Sequence, residues 1–116
     1  MQEGALIAAI DMGSNSFRLE IGRLEGKQIV RMDYLKETVR QGALDENKCL
    51  TLIAQQRGLD CLRRFGERLR DFPGSHVRAV ATQTLREAVN RDEFLSKAQE
   101  VLGFPIEVIS GREEAR

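Results

Sequence analysis

The chain has 116 residues, enough for one small domain with a core of its own and near the lower end of the usual domain size. Its 18 Lys and Arg balance 18 Asp and Glu, so no net basic field gathers nucleic acid or an anionic membrane surface, and any anion site must be local. Cys49 and Cys61 lack a CxxC spacing and the single His76 has no clustered partner, which argues against a cage of soft metal ligands and reads both cysteines as inert thiols. The apolar run in "MQEGALIAAID" is too short for a membrane span and lacks the basic flank of a signal segment, so a reducing cytoplasm is the expected compartment.

Three strands come first: Ala5 to Asp11, Ser16 to Arg23 and Gln28 to Leu35. The second alternates Phe17, Leu19 and Ile21 with Arg18 and Glu20, and Leu24 to Lys27 is a short turn, so the three form an antiparallel meander. Between the first two lies Gly13-Ser14-Asn15-Ser16, longer than a reversal requires and made only of small or polar residues. On the residues alone, a plain hairpin turn and a cradle for an anion both remain open.

A polar stretch from Glu37 to Lys48 leads to Thr51, a candidate N-cap for a long helix with Ala54, Gly58, Cys61, Leu62, Phe65 and Leu69 on one face. Phe72-Pro73-Gly74 stops it, and Val77 to Ala81 reads as a fourth strand. Thr84 and Glu87 then bracket a short helical segment that carries Arg86 in its first turn. Asn90 is a candidate cap for a second helix with Phe94, Ala98, Val101 and Leu102 as its stripe, ended by Gly103 and Pro105. Ile106 to Ile109 is a fifth, buried strand, and Ser110 with Glu113 has the spacing of a capping box that opens another helix. Strand, helix, strand, helix, strand after a meander predicts a mixed α/β sheet in which strands four and five run parallel to the first.

Three segments, "AAIDMGSNSFRLEIGR", "ATQTLREAVN" with "RDEFL", and "FPIEVISGREEAR", together resemble the N-terminal part of the exopolyphosphatase and guanosine pentaphosphate phosphohydrolase (Ppx/GppA) family. The resemblance covers nearly the whole chain. "GSNSFRL" and "SGREEAR" are its narrower signals, whereas an Asp-x-Gly-Ser turn occurs across the wider superfamily of actin, sugar kinases and acetate kinase. The segment "ETVRQGALDENKCL" departs from the more Gly-rich loop usual there, and no function is assigned to it.

The resemblance implies a ribonuclease H-like (actin-like ATPase) half-domain with a five-stranded mixed sheet, a three-strand antiparallel meander and helical crossovers. Residues 1–116 would be the N-terminal part of the first phosphatase domain, cut before the family's second Gly-rich phosphate motif. The implied activity is release of terminal phosphate from inorganic polyphosphate or guanosine pentaphosphate, with the 116-residue chain alone inactive. Gly13, Ser14, Asn15 and Ser16 become the phosphate-binding turn, joined by Arg86. Asp11, an acceptor beside an anion, would hold Mg²⁺ through water, since that cation combines few carboxylates with water and substrate phosphate. With Ser110 as N-cap, Glu113 closes the capping box and Glu114, rotated by roughly 100°, is free to face the cleft, so Glu114 is the candidate base. The expected partners are a polyphosphate or guanosine polyphosphate substrate, with no nucleic acid and no membrane span, and with a homodimer open for the full-length protein. An actin-like or sugar-kinase-like ATPase and a non-catalytic phosphate-binding module are the alternatives.

Overall fold

A computed structural model of the chain describes residues 3–13, 15–40, 44–82 and 88–109. The strands are β1 (Leu6–Met12), β2 (Ser16–Glu25), β3 (Gln28–Thr38), β4 (Val77–Ala81) and β5 (Ile106–Val108), and the helices are α1 (Leu52–Arg68) and α2 (Arg91–Leu102). They form one five-stranded sheet in the order β3-β2-β1-β4-β5. β1, β2 and β3 pair antiparallel, and β4 and β5 continue the sheet parallel to β1, as the element pattern predicts. β2 and β3 run longer than the sequence reading, to Glu25 and Thr38.

Alternation along the strands divides the sheet into two unlike faces. Ala8, Ile10 and Met12 of β1 lie opposite Ile21, Leu19 and Phe17 of β2, and all six are buried. Both helices cover this face: Cys61, Leu62 and Phe65 of α1 and Phe94, Ala98 and Leu102 of α2 complete one core with Ala79, Ala81 and Ile106. The other face carries Arg18, Glu20, Arg31 and Arg78 among small and apolar residues, with Arg31 paired to Glu20 and Arg78 to Glu107. At the sheet's edges lie β3, eleven residues long, and β5, three.

Local chemistry sets the helix ends. The Thr51 hydroxyl accepts the Ala54 N–H at 3.1 Å, the expected cap of α1. Gly103 ends α2 in the left-handed region at φ 90°, which only glycine adopts without cost, and its N–H donates to the Gln99 carbonyl. Asn90 differs from the sequence expectation. It occupies the cap position of α2, but its side chain makes no cap bond; its Oδ1 accepts the Leu50 N–H at 2.9 Å and its Nδ2 donates to the Leu50 carbonyl at 3.2 Å. The amide serves tertiary structure instead of the helix end.

α1 and α2 meet at Gly66. A Cβ there would lie 2.8 Å from the Leu102 carbonyl oxygen and 3.2 Å from that of Val101, both backbone atoms with no rotamer to yield. Helix propensity alone favours alanine by about 1 kcal/mol, but the clash reverses the sign. Gly66→Ala is expected to destabilise the chain by about 1–3 kcal/mol in chemical denaturation. Unchanged or raised stability would mean that the helices separate freely.

Arg64 and Arg68 of α1 reach β3, where Arg64 forks onto the Glu37 carboxylate and Arg68 pairs with Asp33. Hydrogen bonding to Arg64 holds Glu37 below the usual carboxylate range despite opposing desolvation. The pairing therefore stabilises the fold above the unfolded carboxylate's pKa and is lost as pH falls through the lower folded value. Burial first, and then the Glu37 charge, push the Cys61 thiol up to about 12. Cys49 is only half-buried. Iodoacetamide at about pH 8 is expected to label Cys49 in the folded chain and to reach Cys61 only after denaturant is added, as read by mass spectrometry. Equal labelling of both thiols in the folded chain would contradict this core.

Candidate functional site

The parallel register brings three chain segments to one edge of the sheet. Met12 of β1 pairs with Ala81 of β4, and Ala81 pairs with Val108 of β5, so the carboxyl ends of the three strands form a row. Neighbouring strands lie about 4.8 Å apart, so the row is about 10 Å wide. Beyond Met12 comes the Gly13–Ser16 turn, beyond Ala81 the segment that carries Arg86, and beyond Val108 the segment that carries Glu114. Carboxyl ends of parallel strands are where open α/β sheets place their ligands.

Hydrogen bonds lock these exits together. The Met12 carbonyl accepts both the N–H and the Oγ1 of Thr82, at 3.2 and 3.3 Å, which ties the end of β4 to the start of the turn. Ile109 N–H donates to the Ala81 carbonyl at 3.0 Å, tying in the end of β5. The Asn15 carbonyl accepts the N–H groups of both Val39 and Arg40, each at 2.9 Å, so the turn is also fixed to the chain leaving β3.

Within the turn, Gly13 N–H donates to the Ser16 carbonyl at 3.1 Å. The Gly13 N–H is therefore held within the turn. The glycine permits close approach, because a Cβ at Gly13 would lie 3.1 Å from that same Ser16 oxygen. Ser16 is buried and paired with Thr38, whereas Asn15 is exposed. Ser14, Arg86, Ser110, Glu113 and Glu114 lie outside the described residues, as do Thr84 and Glu87. Of the expected site, the described residues therefore bring together Asp11, Gly13, Asn15 and Ser16, and fix the points from which the remainder departs.

Asp11 is half-buried, between Arg18 on β2 and Val80 on β4. Its neighbours Ile10 and Met12 face the core, so by strand alternation its carboxylate lies on the helix-free face. Among the described residues that carboxylate forms no ion pair or side-chain hydrogen bond. Nor, among the described residues, do three His, Cys, Asp or Glu side chains come together as a metal cage. The chemistry of a lone carboxylate fits a hard cation such as Mg²⁺, which combines few carboxylates with water and other oxygens.

A groove of about 570 Å³ on the helix-free face, lined by Ile7, Ala9, Gly22 and Ile29 among others, is a different place. It lies beside Val77 and Arg78 at the amino end of β4, four residues from Ala81, or about 13 Å along the strand. The sequence reading missed the tethers on the chain between β3 and α1, where residues 39 and 40 are pinned to Asn15 at one end. At the other, the Lys48 carbonyl accepts the Val89 N–H at 2.8 Å beside the Leu50–Asn90 pair. Their one signal was Asn90, an amide with a bonding alternative to the helix end. No helix among the described residues is long and apolar enough to cross a membrane.

Comparison with known proteins agrees with this geometry. The chain is 53% identical over 111 residues to the guanosine-5'-triphosphate,3'-diphosphate pyrophosphatase of Vibrio vulnificus, which covers 95% of this chain and 22% of that protein. It thus spans about a fifth of the length of that curated relative. Among solved structures, the Ppx/GppA enzyme of Aquifex aeolicus matches with a TM-score of 0.87 at 28% identity, over 95% of this chain and 37% of that one. An exopolyphosphatase of Cytophaga hutchinsonii matches with a TM-score of 0.86 at 28% identity, over 95% and 36%. These structures share the actin-like half-domain expected from the sequence. The description "Ppx/GppA phosphatase family" fits residues 21–116, and the chain belongs to that family.

Proposed function

We propose that the chain forms the first half of the cleft of a phosphohydrolase that releases terminal phosphate from guanosine pentaphosphate. The observation that carries this reading is the row Met12, Ala81, Val108, from which the small-residue turn and the segments bearing Arg86 and Glu114 all depart. The Vibrio relative's name supports a guanosine substrate. Inorganic polyphosphate is the second reading, supported by the structural match to an exopolyphosphatase.

In this reading the Gly13–Ser16 turn receives the terminal phosphate, with donors from Ser14 and Asn15, while Ser16 and Gly13 keep the turn tight. Arg86 neutralises charge that develops on the phosphate oxygens, a task suited to a planar fork of N–H donors. Asp11 would hold Mg²⁺ through water, and bound there the ion would supply charge neutralisation between phosphate oxygens. Glu114 accepts a proton from the attacking water as its oxygen bonds to phosphorus and the bridging P–O bond breaks. A carboxylate is an intrinsically weak base, so orientation and charge stabilisation carry most of the rate.

The rest of the cleft must come from elsewhere. The 116-residue chain alone is expected to release no phosphate from guanosine pentaphosphate or polyphosphate, because one half-cleft cannot hold an in-line geometry. Metal-dependent release by the pure chain, lost in Asp11→Ala, would overturn that.

A chimera carrying this chain in place of the matching segment of the Vibrio vulnificus protein tests the base. Glu114→Gln keeps size but removes the proton acceptor, and turnover at saturating Mg²⁺ and substrate should fall by about 10²–10⁴. Glu113→Gln should cost little, since Gln also serves in a capping box. The opposite pattern would move the base to Glu113, and full turnover in both would remove the base from this chain.

A further inference from the structure

The chain between β3 and α1 carries no function in the sequence reading, yet its described ends are bonded beside two parts of the candidate site. Its start is bonded to the Asn15 carbonyl of the turn, and its end to Val89 and Asn90, just after the segment that carries Arg86. Arg40 stands at the first of these joints. Its N–H lies 2.9 Å from the Asn15 carbonyl, and its backbone sits at φ 52°, a left-handed conformation that a long side chain rarely adopts unless its surroundings hold it there.

The side chain at this joint is exposed. Arg23, Arg31, Arg63, Arg64, Arg68 and Arg78 each face a carboxylate, whereas Arg18, Arg57 and Arg70 form no ion pair among the described residues, and of these none is bonded through its backbone to the Asn15 carbonyl. Arg40 forms no ion pair among the described residues. In a chain of zero net formal charge, an unpaired guanidinium carried by a residue whose backbone is bonded to the small-residue turn adds local positive charge beside that turn. Its fork of donors matches phosphate oxygens.

We propose that Arg40 is a further phosphate-binding residue, a second guanidinium beside the turn that holds the substrate's phosphate chain. The inference rests on the reading of the Gly13–Ser16 turn as a phosphate site. Arg40 is fixed to the turn and not to the segment that bears Glu114, so it holds the phosphate equally in ground and transition states. Its loss should therefore raise KM and leave kcat nearly intact. The bond to Asn15 uses the backbone N–H, so it survives any change of the side chain.

The test uses the full-length chimera and imidodiphosphate, a phosphate-chain analogue with an uncleavable P–N–P bridge, titrated calorimetrically with Mg²⁺ present. Arg40→Asn keeps a residue that tolerates the left-handed backbone but removes the charge, and should weaken binding by about 10- to 100-fold. Arg40→Lys should recover part of the loss. Arg40→Gly, which relaxes the backbone, should weaken binding as much as Arg40→Asn and decides the matter if the Asn variant does not fold. Binding by the parent with unchanged affinity in the Asn or Gly variant overturns the role of Arg40 alone. A parent chimera that does not bind imidodiphosphate overturns the phosphate reading of the turn, and this proposal with it.

Discussion

The candidate site depends on the Met12 carbonyl and the register around it. That oxygen closes β1, accepts two donors from Thr82, and stands one residue before the turn. If β4 slipped by one residue, every side chain on it would change face. Ala79 and Ala81 would leave the core, and the segment after Thr82 would depart from a different point. Burial on one face thus enforces alignment at the end. The same apolar residues that hold the helices to the sheet decide where the three exits lie.

Small side chains permit this arrangement. β4 presents Ala79 and Ala81 to the helices, and α1 and α2 touch through Gly66, so the helical layer sits close against the sheet and against itself. The larger residues that fill the remaining space, Phe17, Phe65 and Phe94, are fully buried. Polar devices take over where this packing ends: the Thr82 bridge, the Asn15 carbonyl with its two donors, and the Leu50–Asn90 amide pair. The packed core is therefore apolar and central, whereas the strand ends at the candidate site are tied together by polar groups at its rim.

Much of the fold was legible because its signals are local. Alternation at Phe17, Leu19 and Ile21 marked β2, Thr51 marked the start of α1, Gly103 marked the end of α2, and element order gave the parallel strands. What stayed hidden depends on partners distant in sequence. Asn90 has the residue type of a cap, and only the approach of Leu50, forty positions away, explains where its amide goes. The chain between β3 and α1 lacked periodicity, and its link to Asn15 runs through main-chain atoms that no side-chain pattern encodes. For the site, the small-residue turn was legible as a special turn, and Asp11 as its neighbour. That Gly13 gives its N–H to Ser16 follows from turn geometry that composition leaves undetermined.

The two margins of the sheet differ in how they meet other chains. β5 offers three residues, too short a ladder to template another strand. β3 offers eleven, and Ile29, Val30, Met32 and Tyr34 along it are exposed. A long strand of that kind invites edge-to-edge pairing unless something interrupts it. Here the interruption is built in: the register shifts between Ile21 and Gly22 of β2, which adds local twist, and Lys36 and the Arg31–Glu20 pair place charge along the same margin. The irregularity that bends the outer strand therefore also guards the fold against its own copies.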